Sequence, residues 1–131
     1  MRTFTGAWAR LGALAGLGAV ALAGLAAPAL AQQPYGGLWA GTAAQCRDPD
    51  GVDRMEITGN RFFWYETRCT AHGIATAGPG SWTMRLSCEG EGQRFTARPR
   101  ISLPTPDRLV MENGPVGPNP RRQSYIRCPG L

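Results

Sequence analysis

Short stretches of alternating apolar and polar residues, separated by glycine and proline, dominate the chain after residue 31. The clearest stretch is 81–89, where Trp82, Met84, Leu86 and Cys88 alternate with serine, threonine and arginine. Successive side chains of a strand point to opposite faces, so this pattern predicts a half-buried β-strand. A sustained apolar repeat of about 3.6 residues, the sign of an amphipathic helix, does not occur in this region.

Turn residues divide the same region into about eight such segments. Gly59-Asn60 suits a two-residue hairpin turn, 78–80 (GPG) separates two longer segments, and Pro99 predicts an edge, bend or bulge. The predicted strands span residues 37–42, 54–58, 61–67, 69–77, 81–89, 93–102, 108–111 and 123–128. Their spacing predicts an all-β fold, a small antiparallel up-and-down barrel or a barrel-like sandwich.

The first 31 residues follow a different pattern, in which a basic start precedes a long apolar run. Arg2 and Arg10 precede the apolar stretch 11–27, and 29–31 (ALA) has the small-x-small form of a cleavage site. We therefore predict a signal peptide over 1–31, cleavage before Gln32, and a periplasmic or secreted domain over 32–131. An uncleaved anchor is the alternative, because 17 apolar residues are close to the shortest bilayer span.

The net charge and the length of the chain restrict the classes of partner that the protein can bind. The chain has 131 residues and a net charge of +5 from 14 basic and 9 acidic groups. Without Arg2 and Arg10 the net charge is +3, which is not the profile of a nucleic-acid-binding domain. We expect no nucleic acid partner and, after signal cleavage, no stable membrane span. A domain of this size buries only about 60–65% of its unfolded surface, so it needs covalent staples.

All four cysteines lie in the predicted β domain. Residues opposite each other in a hairpin have numbers with a constant sum; Cys69 and Cys88 sum to 157, as do turn positions 78 and 79. This favours a disulfide bond between Cys69 and Cys88, and Cys46 is then left to pair with Cys128. Four cysteines allow three connectivities, so the other two stay open. Paired thiols are expected in an oxidising compartment.

The first predicted strand opens with 37–39 (GLW), which resembles the Gly-x-Trp opening of the calycin superfamily, the β-barrels that include lipocalins, avidins and bacterial metalloprotease inhibitors. The resemblance implies a barrel in which Trp39 packs near the base and a basic residue of the last strand, Arg127, lies across it as a cation–π partner. The cysteine spacing, 88–92 (CEGEG) and 125–128 (YIRC) also resemble short exported bacterial proteins of unknown function.

Residue types that support catalysis are scarce. His72 is the only histidine and the chain has no lysine, so general bases and amine nucleophiles are nearly lacking. No Gly-x-Ser-x-Gly motif accompanies His72, and we expect it on the surface. A zinc site of Cys69, His72, Cys46 and Cys88 is the alternative, but it needs reduced thiols. We predict no catalytic residues, no enzymatic activity and no cofactor.

The segment 48–53 (DPDGVD) is the one acidic cluster with metal-ligand spacing. Asp48, Asp50 and Asp53 with a glycine resemble part of a calcium-binding loop, but the later bidentate glutamate is missing. Asp, Pro and Gly also form turns. We expect a turn before the second strand, with weak calcium binding as the alternative.

The aromatic run 62–65 (FFWY) is a candidate contact surface. Alternation puts Phe62 and Trp64 on one face of a strand and Phe63 and Tyr65 on the other. We expect both pairs in the core, because aromatic side chains dominate burial in small domains. If one pair is exposed, it becomes the best candidate surface for a partner.

The proline-rich loop 113–123 is the second candidate surface. Its prolines stiffen it, and Arg121-Arg122 provides two guanidinium groups that suit carboxylates or phosphates. A solvated connection between strands is the alternative.

Together these features favour a non-enzymatic binder of an exported or envelope protein, such as a small inhibitor of a hydrolase. A carrier that holds a small apolar ligand in the barrel is the second hypothesis, and an envelope structural protein is the third. An open cavity would favour the carrier, whereas a filled barrel with an exposed aromatic or arginine loop would favour the protein binder.

Overall fold

A computed structural model describes residue 18, residues 33–117 and residues 119–130. The predicted signal peptide and its cleavage site lie outside these residues, apart from Gly18. The described chain is all-β, as predicted. Its elements are β1 (Gly37–Ala40), α1 (Ala43–Cys46), β2 (Arg54–Thr58), β3 (Arg61–Phe63), β4 (Thr67–Thr76), β5 (Ser81–Gly90), β6 (Gln93–Ala97), β7 (Arg100–Thr105), β8 (Arg108–Glu112) and β9 (Arg122–Arg127). Within the described residues, no helix has the length and apolarity that a membrane crossing requires.

Eight strands close into an antiparallel barrel, in the order β1, β2, β3, β4, β5, β7, β8, β9 and back to β1. Closure depends on the pairing of the first strand with the last, in which Trp39 lies opposite Arg127 and Ala40 opposite Ile126. Each of these eight strands therefore pairs with a neighbour on both sides, so the sheet is closed and the sandwich alternative does not apply.

The ninth strand, β6, lies end to end with β7, and both pair with the same edge of β5. Cys88 lies opposite Phe95 and Trp82 opposite Ile101, so both pairings have the same register sum, 183. The Met84 N–H donates to the Pro99 carbonyl oxygen at 3.3 Å in the same register. The predicted strand 93–102 is therefore one line of pairing that bends at Pro99, because proline has no N–H to donate.

The β4–β5 hairpin has the predicted cysteine pairing but not the predicted turn. Cys69 lies opposite Cys88 with a sum of 157, whereas Ala75 lies opposite Thr83 with a sum of 158. The turn 78–80 is centred on Pro79, since the Ala77 N–H donates to the Ser81 carbonyl. A β-bulge between His72 and Ala75, which includes Gly73 at φ +59°, offsets the register by one residue.

Two predicted strands are too long. The first ends at Ala40, because Thr42 caps α1 by accepting a hydrogen bond from the Gln45 N–H at 3.3 Å. The segment 61–67 is not a single strand, because Trp64 and Thr67 exchange backbone hydrogen bonds of 2.8 and 3.4 Å across Tyr65-Glu66. That exchange forms a tight turn between β3 and β4.

Large side chains fill the barrel interior. The most deeply buried ones, each less than 2% exposed, include Tyr35, Trp39, Met55, Phe62, Leu86, Ile101, Leu109 and Met111. A second, smaller cluster lies outside the barrel, where α1 covers β1 and β9, and contains Ala40, Cys46 and Cys128. The barrel thus has a packed core and one covered patch on its outer face.

Candidate functional site

Arg127 closes one end of the barrel against Trp39. Its guanidinium carbon lies 4.3 Å from the centroid of the Trp39 ring, the contact that the calycin resemblance implies. The same guanidinium donates to the carbonyls of Gly36 (2.7 Å), Pro34 (2.8 Å) and Pro106 (3.1 Å). Charge-assisted hydrogen bonds are stronger than neutral ones. Arg127 therefore holds the segment before β1 and the β7–β8 turn against the last strand.

The two ends of the barrel have different connections, because successive connections of an antiparallel barrel alternate between ends. The Arg127 end has the β2–β3, β4–β5 and β7–β8 turns. The opposite end has the other connections, residues 41–53, 64–66, 91–92 and 113–121. We call this opposite end the loop end. The two predicted contact surfaces, 62–65 and 113–123, both reach it.

Both disulfide bonds have the favoured connectivity. Cys69 is bonded to Cys88 across β4 and β5, with Cα atoms 4.0 Å apart. Cys46 is bonded to Cys128, with Cα atoms 5.4 Å apart, and this bond joins α1 to the end of β9. The zinc alternative is therefore wrong, because its three thiols are oxidised.

His72 lies exposed on the outer face of β4, in register with Arg85 on β5. This is the surface position that the sequence predicted.

The acidic segment 48–53 forms a turn. The Asp48 side chain accepts a hydrogen bond from the Asp50 N–H at 3.0 Å, and the Asp48 backbone carbonyl accepts one from Arg54 Nη1 at 2.7 Å. The Asp53 carboxylate accepts from Gln45 Nε2 at 2.8 Å. The Asp48 and Asp53 carboxylates thus each have a local partner, and across the described ranges no three His, Cys, Asp or Glu side chains converge on a metal-binding position. The local contacts thus favour the turn over the calcium loop.

The aromatic run divides into a buried pair and a more exposed pair, so the expectation that both pairs are core is wrong. Phe62 and Trp64 are buried, and their rings stack at 6.1 Å. Phe63 is half-buried on the barrel wall, and Tyr65 is 61% exposed in the β3–β4 turn. Tyr65 is exposed because the turn takes it out of the strand.

The loop after β8 is held by its own backbone. The Gly114 N–H donates to the Pro120 carbonyl at 2.9 Å, and the Asn113 N–H to the Arg121 carbonyl at 3.2 Å. Val116 packs on the barrel core. Arg121 and Arg122 are both exposed at the end of this loop. The two predicted arginines therefore stand on a backbone that is already ordered.

Several polar groups inside the barrel face the loop end. The Trp64 Nε1–H donates to the Tyr125 hydroxyl at 3.5 Å, and that hydroxyl donates to Gln123 Oε1. Burial raises the pKa of Tyr125, the hydrogen bond from Trp64 lowers it, and the negative charge of Asp53 raises it further. Periodicity alone cannot reveal this network, because Trp64 and Tyr125 are 61 residues apart.

A groove of about 620 Å³ lies outside the barrel, beside the Cys46–Cys128 bond. Ala43, Ile126 and Pro129 give it an apolar floor, and Arg54 is at its edge. This groove could not be predicted from the sequence, because it exists only where α1 folds back onto β9.

A set of exposed arginines on the outer face of β3 to β7 was not predicted from the sequence. They are Arg61, Arg68, Arg85, Arg94, Arg98 and Arg100. Alternation with the inward-facing positions predicts that each of these arginines is exposed. Whether they lie close together depends on the strand register of the barrel, which the sequence does not show.

Comparison with known proteins does not place the chain in a family. No protein-family model, curated protein or solved structure matches it. The calycin resemblance therefore stays a prediction that rests on segment 37–39 and Arg127.

Proposed function

We propose that this protein is a non-enzymatic binding module that attaches through its loop end to an exported or envelope protein, in the manner of a small inhibitor. The observation that supports this most is the exposure of Tyr65, 61%, at the same end of the barrel as the Arg121-Arg122 pair. Tyrosine and arginine, together with tryptophan, are enriched among the residues that dominate binding energy at protein interfaces.

The rigidity of both surfaces supports the same proposal. Trp64, next to Tyr65, is buried and donates a hydrogen bond to Tyr125. The two backbone hydrogen bonds between Trp64 and Thr67 fix the turn. The two ends of the loop after β8 are joined by the hydrogen bonds from the Asn113 and Gly114 N–H groups to the Arg121 and Pro120 carbonyls. Side chains on ordered backbone lose less conformational entropy when a partner binds, so a small contact area is used efficiently.

The packed interior favours a surface binder over a carrier. Trp39, Phe62, Leu86 and Met111 occupy the space that an apolar ligand needs, each with at most 1% exposure. An interior of eight strands is wide enough either to be filled by side chains or to hold one small ligand, and here side chains fill it. A ligand inside would have to displace these side chains, which costs packing energy.

We propose a periplasmic or secreted location for this binding. The two disulfide bonds are typical of proteins in an oxidising compartment. The partner is accordingly sought among exported and envelope proteins.

A site-specific photo-cross-linker tests the proposal in cells that express the full chain. Benzoylphenylalanine replaces Tyr65 in one variant and Arg121 in a second. A matched variant places it at Asn60, an exposed residue in the β2–β3 turn at the other end. We expect the same protein adduct from positions 65 and 121, and none from position 60. Equal adducts from all three positions, or none from 65 and 121, would contradict the proposal.

Binding to the purified cross-linked partner then tests the energetics. We expect Tyr65→Ser to weaken binding about tenfold or more, as for an interface hot spot, and Asn60→Ser to change it less than about twofold. Both residues are exposed, so neither substitution should alter folding.

A further inference from the structure

The outer face of β3 to β7 concentrates positive charge. It carries the six exposed arginines named above, and we call these, with the side chains between them, the arginine wall. The described residues contain twelve arginines and nine acidic groups, a net charge of +3. The wall has six arginines and one carboxylate, Glu89, at its strand positions, and Glu66 and Glu91 line a groove at its edge together with Arg68 and Arg94. The six arginines and these three carboxylates have a net charge of +3, and the remainder of the described domain has a net charge of zero.

The strand register explains how the wall forms. Glu89 lies between Arg68 on β4 and Arg94 on β6. Arg100 lies opposite Thr83. Because the register sum of 183 runs through Pro99, Arg98 occupies the position opposite Arg85. Alternation therefore turns every one of these side chains outward while the interior stays apolar.

Most of the wall arginines have no carboxylate partner. Of the six, only Arg68 forms an ion pair with a described residue, through Nε to Glu89 Oε1 at 3.5 Å. Arg85 and Arg98 are like charges in opposite register positions, with His72 on the other side of Arg85. Like charges directly across a sheet destabilise it. This arrangement costs stability in the free protein, and an anionic ligand would remove that cost.

The spacing of the wall suits an extended anionic chain. Residues on one face of a strand repeat every ~6.8 Å, and neighbouring strands are ~4.8 Å apart. From Arg94 to Arg100 the wall thus extends over about 20 Å. Hydroxyl groups of Thr70, Ser87 and Thr96 lie between the guanidinium groups. A groove of about 380 Å³ at one end includes Arg61, Arg68 and Arg94 with the half-buried Phe63.

We propose that the arginine wall binds a linear acidic glycan. Guanidinium groups bind carboxylate and sulfate oxygens with paired hydrogen bonds, the wall hydroxyls suit sugar hydroxyls, and the Phe63 ring offers an apolar face to one sugar. A single-stranded nucleic acid needs several aromatic side chains on which its bases stack, and the wall has only the Phe63 and His72 rings. Stable attachment to a membrane needs inserted apolar side chains in addition to basic ones, and the only large apolar side chain at the wall positions is Phe63, which is half-buried.

Calorimetric titration of the mature full chain tests this at 150 mM salt. The acidic probes are a heparin octasaccharide, which is sulfated, and an octagalacturonate, which has carboxylates only; a dextran octasaccharide is the neutral control. We expect binding of at least one acidic probe and none of dextran. Arg85→Gln with Arg98→Gln should weaken it about tenfold, whereas Arg121→Gln with Arg122→Gln, the same change in net charge, should weaken it less than about threefold.

Other outcomes would overturn the proposal. Equal weakening by the two double variants would show that only net charge matters. Failure of both acidic probes to bind would remove the site altogether. Tighter binding of a single-stranded oligonucleotide, or of vesicles with anionic lipid, would reassign the wall to those partners. Tyr65→Ser should leave glycan binding unchanged, so the wall and the loop-end proposal fail independently.

Discussion

Two buried tyrosines differ in their hydrogen bonds. The Tyr125 hydroxyl has both Trp64 and Gln123 as partners, whereas the buried Tyr35 hydroxyl has none among the described residues. We expect Tyr125→Phe to lower the free energy of unfolding by about 1–3 kcal/mol, because it leaves buried polar groups unpaired. Tyr35→Phe should leave it unchanged or raise it by up to about 1 kcal/mol. Urea unfolding curves measure both, and an equal loss in the two variants would contradict the difference.

The same two tyrosines predict how stability depends on alkaline pH. Burial raises the pKa of Tyr35 and of Tyr125 above their ordinary value of 10.0. The unfolded chain therefore releases these protons first. Their contribution to stability is complete below pH 10 and is lost as the pH rises through the raised pKa of the folded state. We expect the urea midpoint to fall above pH 10, and to fall less steeply in Tyr125→Phe. Parallel curves for wild type and variant would contradict this.

Single residues were predictable from sequence where a local motif marked them. Trp39 and Arg127 stand in short motifs at the two ends of the domain, and the structure brings them into contact. The sequence could not show that Trp64 is buried and Tyr65 exposed, because both belong to one aromatic run. What separates them is the turn across Tyr65-Glu66, whose backbone hydrogen bonds do not depend on which side chains are apolar.

At the level of elements, alternation located the strands but not their ends. The ends depend on local hydrogen bonds, such as the Thr42 cap of α1 and the exchange between Trp64 and Thr67. The β4–β5 hairpin shows the same limit. Its cysteine pairing was predicted correctly although the turn was not. The turn is centred on Pro79, half a residue later than predicted, and the bulge near Gly73 shifts the register back by the same amount.

The two disulfide bonds constrain loops of very different length, 19 residues for Cys69–Cys88 and 82 residues for Cys46–Cys128. In the loop-entropy account the shorter loop contributes about 3 kcal/mol and the longer about 4.5 kcal/mol. We therefore expect replacement of Cys46 and Cys128 by alanine to destabilise the domain more than replacement of Cys69 and Cys88. Urea unfolding of the two double variants measures the order. The reverse order would show that packing of the Cys69–Cys88 bond in the core outweighs loop entropy.

For the whole molecule, the barrel separates three tasks among three regions. Arg127 fastens one end, the loop end presents Tyr65 and the arginine pair, and the wall presents six further arginines. The sequence indicated each local feature except the wall. It could not show that 65 and 121 share an end, because that depends on how many strands separate them and on closure of the barrel.

The filled interior leads to an expectation for the molecule as a whole, that it carries no apolar ligand. Native mass spectrometry of the purified protein should show the bare oxidised chain, and added fatty acid should not raise its melting temperature. A ligand present at a hundred times its Kd would add about 2.7 kcal/mol to the free energy of unfolding, a change that is easily detected.

Phe62→Ala provides the matched control, since Phe62 is fully buried and its removal leaves an apolar void. Such voids stay dry and accept small apolar molecules, so benzene should stabilise this variant and not the wild type. A stoichiometric lipid on the wild-type chain would instead show that the interior opens, and the carrier hypothesis would then replace the surface binder.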